Sequence, residues 1–167
     1  MPSANIHATC ILLARAGEAF GAPADAGILL LGESGVGKSD LAMRLIALGA
    51  TLVADDRVEL SVENNLLIAR APANLAGLIE IRNVGIVALP HAAEARVALA
   101  ALLGTGENLP RLPEHERYRP PAGINLVEEF CPPLLRLSAF EISAPAKIAA
   151  AAAAFAHGLF REDSKRN

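Results

Sequence analysis

Apolar and polar positions change rhythm several times along the chain, and each change predicts an element. Residues 5–14 (NIHATCILLA) are β-branched and apolar enough for a strand, with His7 near its start. Residues 17–27 are rich in Gly, Ala and Pro and read as a loop. Residues 28–31 form a short uninterrupted apolar run of the kind that lies buried on both faces of a sheet. Residues 32–37 break it. From Lys38 onward Leu41, Leu45, Ile46 and Leu48 recur at helical spacing, and Gly49 stands where a helix-terminating glycine belongs. Residues 51–54 predict a second buried strand, ending in Asp55-Asp56. Residues 57–63 alternate, Asn64-Asn65 offers a turn, and residues 66–70 return, which is a hairpin signature.

Further along, residues 79–89 read as a strand interrupted at Gly85. Residues 92–103 fit neither period: their alanines favour helix, while Arg96, Val97, Leu99 and Leu102-Leu103 follow no single face. The polar, Pro-rich residues 104–125 predict an extended surface segment, and residues 134–137 a last strand. Residues 143–157 predict a helix, with Ser143 as N-cap, Pro145 in the first turn and Gly158 beyond the end. Its alanine run reads as a close-packing face.

Composition narrows the classes. The length of 167 residues suits a single domain over residues 1–167. Hydrophobic residues make up 53% and charged residues 20%, which excludes an intrinsically disordered chain. With 4% aromatics and no Trp, the core is expected to be built from small side chains. A net charge of −3 argues against a general nucleic-acid binder. Residues 97–103 and 148–156 are the longest apolar runs, too short to span a bilayer, so no membrane insertion is expected. No basic, then apolar, leader opens the chain, and the expected compartment is the cytoplasm. Cys10 and Cys131 lack metal-ligand spacing and read as two reduced thiols.

Candidate chemistry concentrates in Gly32-Glu33-Ser34-Gly35-Val36-Gly37-Lys38-Ser39, a match to G-x-x-x-x-G-K-[ST]. Such glycines let backbone N–H groups converge on a phosphate, and the following helix turns its positive end toward it. Lys38 can reach the β- and γ-phosphates of a nucleotide, and the Ser39 hydroxyl can bind Mg2+. The strand ending in Asp55-Asp56 follows after a single helix, so the two strands are expected to be neighbours joined by a right-handed crossover. Adjacent acids on an extended chain point to opposite faces, which predicts different tasks. One acid would address the metal shell while the other faces a hydroxyl acceptor.

These residues carry a resemblance. The run GESGVGKSDLAMRLIALGATLVADDRVEL, with Glu80-Ile81-Arg82-Asn83-Val84-Gly85-Ile86 downstream, resembles the catalytic domain of HPr kinase/phosphorylase, closely over residues 28–87. The resemblance implies an α/β P-loop domain, similar to the phosphoenolpyruvate carboxykinase-like nucleotide core, with a mixed sheet and few helices. It implies phosphoryl transfer from ATP, with Mg2+, to a serine of the phosphocarrier protein HPr, and the reverse reaction as a second activity. Residues 32–39 would bind the nucleotide phosphates, with Lys38 stabilising the transferred group. Asp56 would accept the seryl proton, His7 would sit beside it, and Arg82 would match the signature arginine. Ser39, Asp55 and Glu80 would address the metal. The family also implies a homo-oligomer, a hexamer.

The chain departs from the family pattern in two places. The usual amino-terminal domain has no counterpart, which suggests the short, catalytic-domain form. The late V-R-P-G-R-N-type loop, tied in the family to dephosphorylation, is met only by Arg119-Pro120-Pro121-Ala122-Gly123-Ile124-Asn125-Leu126, with Ile where the second Arg is expected. Two other readings use the same loop: a small-molecule kinase, and a non-catalytic ATP-sensing domain that controls a partner.

Overall fold

The structure is a computed structural model that describes residues 1–104 and 108–161. Part of the predicted surface segment 104–125 therefore lies outside the described residues. The elements run β1 (Ser3–His7), β2 (Thr9–Leu12), a 3-10 segment (Ala14–Phe20), β3 (Ala26–Leu31), α1 (Lys38–Ala47), β4 (Thr51–Ala54), β5 (Arg57–Glu63) and β6 (Leu66–Arg70). They continue with β7 (Leu78–Ile81), β8 (Gly85–Ala88), β9 (Glu94–Gly104), β10 (Glu116–Arg117), β11 (Pro133–Ser138) and α2 (Ala144–His157). A mixed α/β fold with few helices is what the resemblance implies.

Long β9 organises the main sheet. Its first residues pair antiparallel with β6, and its last residues pair parallel with β11. β3 runs parallel to it along the opposite edge. The order is β1-β5-β6-β9-β3-β2-β4, with β11 on the side of β9 away from β3. β7 and β8 form a separate two-stranded hairpin.

The strand order corrects one expectation. β3 and β4 are not neighbours: β2 lies between them, antiparallel to both. The crossover through α1 passes over that one position, because the chain has already laid β2 there. β3 and β4 remain parallel to each other, so their C-terminal ends still share one edge of the sheet, where ligands bind in such folds. The run expected as one strand over residues 5–14 is likewise two strands. It breaks at Ala8, where the chain passes from β5 to the β3–β4 pair.

The segment that fitted neither period is a strand with a defect. Gly27 pairs with Val97 but Ile28 pairs with Leu99, so Ala98 is an extra residue in β9. The bulge flips the phase: Val97 packs in one apolar cluster and Leu99 in the other. Both faces are covered, which makes the run continuously apolar rather than alternating. Ile28 and Leu30 face the helices together with Leu41, Leu45 and Ile148, while Leu29 faces Val53, Leu60 and Leu67. Small side chains serve the close packing. Ala149, Ala152 and Ala153 of α2 are buried, and α2 lies against the 3-10 segment, β9, β11 and α1.

Turn chemistry is as expected in three places and different in two. Asn64 and Asn65 both take positive φ, 51° and 62°, the backbone that a two-residue hairpin turn needs. α1 ends in a paired closure, with Gly49 N–H donating to Ile46 O and Ala50 N–H to Leu45 O. Gly158 follows α2 in left-handed backbone. Ser143, expected to cap α2 with its side chain, makes no such bond; its carbonyl accepts from Lys147 N–H in the ordinary helical way. The interruption of residues 79–89 is not Gly85 but the turn at Arg82, Asn83 and Val84, with Asn83 at φ 65°. Gly85 opens the return strand.

Candidate active site

The C-terminal ends of β3 and β4, the first turn of α1 and the β7–β8 hairpin enclose a cleft of about 420 Å³. The loop between β3 and α1 forms its floor. Gly37 sits at φ 103°, a conformation open to glycine, and hands the chain into α1 as its N-cap. The first N–H groups of the helix, at Lys38, Ser39 and Asp40 along the cleft, have no intrahelical partners, which makes a ready site for an anion. Ser34, Gly35, Gly37, Lys38 and Ser39 line the cleft. The other three loop residues do not. Val36 packs against the core below, a Cβ on Gly32 would stand 2.8 Å from Val36 Cγ1, and Glu33 contributes its carbonyl.

Lys38 is 6% exposed and curls back over its own loop, its Nζ donating to Gly32 O at 2.7 Å and Glu33 O at 2.8 Å. Burial lowers its pKa from the ordinary lysine value, against the raising influence of Asp55 and Asp56. The ammonium is thus held at the loop, with donor capacity left for a bound phosphate oxygen.

Asp55 and Asp56 take the two different positions expected, for a different reason. The chain is not extended at Asp56. Arg57 N–H donates to Asp55 O at 2.7 Å, a three-residue turn with Asp56 at φ 65°. Asp55 turns inward, 5% exposed, and three donors hold it: Thr9 Oγ1 and Ser39 Oγ reach Oδ1, both at 2.8 Å, and Glu80 N–H reaches Oδ2 at 3.2 Å. Asp56 turns outward. His7 Nδ1 lies 3.0 Å from Asp56 O and 3.2 Å from Asp56 Oδ1. Both partners accept, so the ring carries its proton on Nδ1 and presents Nε2 elsewhere.

Glu80 and Arg82 reach the same cleft from the hairpin, and both are exposed. All the residues predicted for metal, base and signature roles are therefore brought together. Among the described residues, no three His, Cys, Asp or Glu side chains form a cluster that could hold a metal alone. The donor set suits Mg2+ nonetheless, since that ion binds through one or two carboxylates and completes its shell with water and phosphate oxygens. Ser39 gives its proton to Asp55 and keeps its lone pairs free, and Glu80 stands one backbone bond from the same carboxylate.

Sequence reasoning missed Thr9, Met43, Asn83 and Phe140, which also line the cleft. Thr9 could have been found: it is a lone hydroxyl within an apolar run, and a buried hydroxyl needs a partner. Phe140 carried no periodic signal. The late loop is also resolved. Ile124, which replaces an expected arginine, is 7% exposed within the second apolar cluster, and residues 119–126 do not line the cleft.

A glycine-rich loop that opens a helix, a buried acid hydrogen-bonded to the loop serine and an outward acid on the next residue give this α/β domain the kinds of group that phosphoryl transfer needs. Comparison with known proteins narrows the class. Residues 22–93 match the family model of the HPr Serine kinase C-terminal domain. The HPr kinase/phosphorylase of Caldicellulosiruptor bescii is 39% identical over 111 residues, covering 60% of this chain and 36% of that protein. That of Peptoclostridium acidaminophilum is 52% identical over 62 residues, covering 36% and 20%. The solved Hpr(Ser) kinase/phosphatase from Coxiella burnetii superposes with a TM-score of 0.67 at 26% identity, covering 87% of this chain and 91% of that one. The resemblance to HPr kinase/phosphorylase and the fold it implies therefore hold. The matched segments span between about a fifth and about a third of the length of these curated relatives. Among the described residues no helix is long and apolar enough to cross a membrane.

Proposed function

We propose that this domain is an ATP- and Mg2+-dependent protein-serine kinase acting on the phosphocarrier protein HPr. The observation that carries the reading is the division of labour between Asp55 and Asp56. Asp55 is fixed behind the phosphate loop by Thr9, Ser39 and Glu80 N–H, while Asp56 stands free in the cleft beside His7. Phosphoryl transfer needs positioning, charge neutralisation and one oriented base, and these residues supply each.

In the forward direction the helix N-terminus and Lys38 hold the phosphates. Mg2+, when bound near Ser39, Asp55 and Glu80, neutralises charge on the phosphate oxygens. The Asp56 carboxylate takes the proton of the acceptor serine as its oxygen bonds to the γ-phosphorus and the bond to the ADP oxygen breaks. The same carboxyl returns the proton when the direction is reversed. His7, with Nδ1–H directed at Asp56, keeps that carboxylate turned to the acceptor. Arg82, exposed at the cleft wall, is placed to attract the acceptor or the transferred group. Single-domain action, a cytoplasmic site and a homo-oligomeric assembly complete the reading, and light scattering measures the last.

The deciding experiment incubates the chain with ATP, Mg2+ and HPr and follows serine phosphorylation by intact mass. Transfer by wild type that is lost in Asp56→Asn is the expected result. No transfer by wild type, or equal transfer by the variant, overturns it.

A further inference from the structure

We infer that Phe140, with Met43, forms the platform on which the nucleotide's base rests. This rests on the reading above that the loop takes a nucleoside triphosphate. The loop after β11 carries Phe140 two residues beyond Ser138, which pairs with Gly104 at the same edge of the sheet as the phosphate loop. Strand order gives the site a direction. From β3, which feeds the phosphate loop, β2 and then β4 lead to Asp55-Asp56. In the other direction β9 and then β11 lead to Phe140. The phosphate loop thus lies between the proton acceptor and the ring. In-line transfer places the acceptor oxygen opposite the leaving group, so the nucleoside must depart on the side away from Asp56. That is the Phe140 side.

The ring is held in place and left bare. A Cβ built on Gly37 would stand 3.0 Å from Phe140 Cζ, so the ring reaches the last glycine of the phosphate loop. Its backbone is tethered on both flanks, since the Arg44 guanidinium donates to Ala139 O and to Glu141 O. Arg44 is itself paired with Asp40 on α1. Despite this anchoring Phe140 is 66% exposed, and it lines the cleft together with Met43, one turn along α1 from Ser39. An uncovered aromatic face on an anchored loop beside the glycine-rich loop suits a flat heterocycle, and every base has a π-face to stack on it.

Binding of Mg-ATP and of Mg-triphosphate, which has no base, tests this directly. Phe140→Ala should weaken ATP about tenfold or more while changing triphosphate by less than about twofold. Because the chain has no Trp, Phe140→Trp gives a single tryptophan, which can be excited selectively over Tyr118. It should keep ATP affinity, and its emission should change with ATP but not with triphosphate. If Phe140→Ala weakens both ligands alike, the ring only braces Gly37 and the platform is refuted. An unchanged ATP affinity refutes it too, while leaving the phosphate site intact. Wild type that binds neither ligand removes the nucleotide reading itself, and the platform with it.

Discussion

Asp55 is 5% exposed and accepts three hydrogen bonds, whereas the Asp56 side chain, one residue on, is 65% exposed and among the described residues pairs with His7. The contrast extends to their surroundings. At the loop end of the cleft, Lys38 and Thr9 are buried and bonded; at the other end His7, Glu80 and Arg82 are exposed. One end is a finished mould for a ligand of fixed shape. The other is open, as the proposed acceptor, a folded protein that brings its own surface, would require. Preorganised groups stabilise developing charge without moving, while the open groups gain their low-dielectric setting only when the acceptor covers them.

The sharpest way to break this contrast is to disable each acid separately. Asp56→Asn should lower phosphoryl transfer by about 10²–10⁴-fold, the usual worth of a positioned base, with Mg-ATP binding unchanged. Mass analysis of HPr and nucleotide titration read the two quantities. A variant that also lost ATP affinity would mean that Asp56 belongs to the mould. Thr9→Val attacks the other side. It removes a buried hydroxyl that donates to a carboxylate, a bond worth about 1.5–3 kcal/mol, so urea unfolding should show a destabilisation of that size. The Mg2+ concentration for half-maximal activity should rise several-fold, because Asp55 would lose one of the bonds that orient it. Loss of stability without any change in Mg2+ dependence would leave Thr9 a purely structural partner.

The two ends also differed in how legible they were. The mould was readable because its chemistry is local: the glycine spacing, Lys38 and Ser39 lie within one loop, and the loop's strand and helix flank it in sequence. The approach of Asp55 to Ser39 followed from two parallel strands ending at one edge, even though the interposed β2 was not foreseen. What could not be read came from pairing across the sheet. The Ala98 bulge has no composition of its own and is visible only where β3 and β9 fall out of step. The turn at Asp56 likewise depends on the end of β1, since the His7 ring and the N–H of Ala8 just beyond the strand both reach Asp56 O. Phe140 reaches the cleft from a loop about a hundred residues past the phosphate motif, and only β11 docking on β9 brings it there.

Smaller effects should refine the mould. Arg44→Met would free the Phe140 loop from its two carbonyl anchors, and ATP affinity should fall a few-fold while triphosphate affinity holds. Equal losses for both ligands would show Arg44 supporting the phosphate loop through Asp40 instead.

The smallest effect concerns the proton on Lys38. Its pKa is lowered in the free protein chiefly by burial, below the ordinary value of 10.5. A bound triphosphate adds negative charge beside the ammonium and raises that pKa again. The sign follows from linkage: where the bound state holds the proton more tightly than the free state, binding takes up protons, and affinity falls as pH rises. The window opens at the lowered pKa of the free protein and closes at the raised pKa of the complex. Below it Lys38 is charged in both states and contributes no pH dependence. Calorimetry of Mg-ATP binding in buffers of different ionisation heat should therefore detect fractional proton uptake on the alkaline side, absent in Lys38→Met. Proton release instead would mean that the phosphates do not approach Lys38, and that its two carbonyl partners rather than a ligand fix its place in the loop.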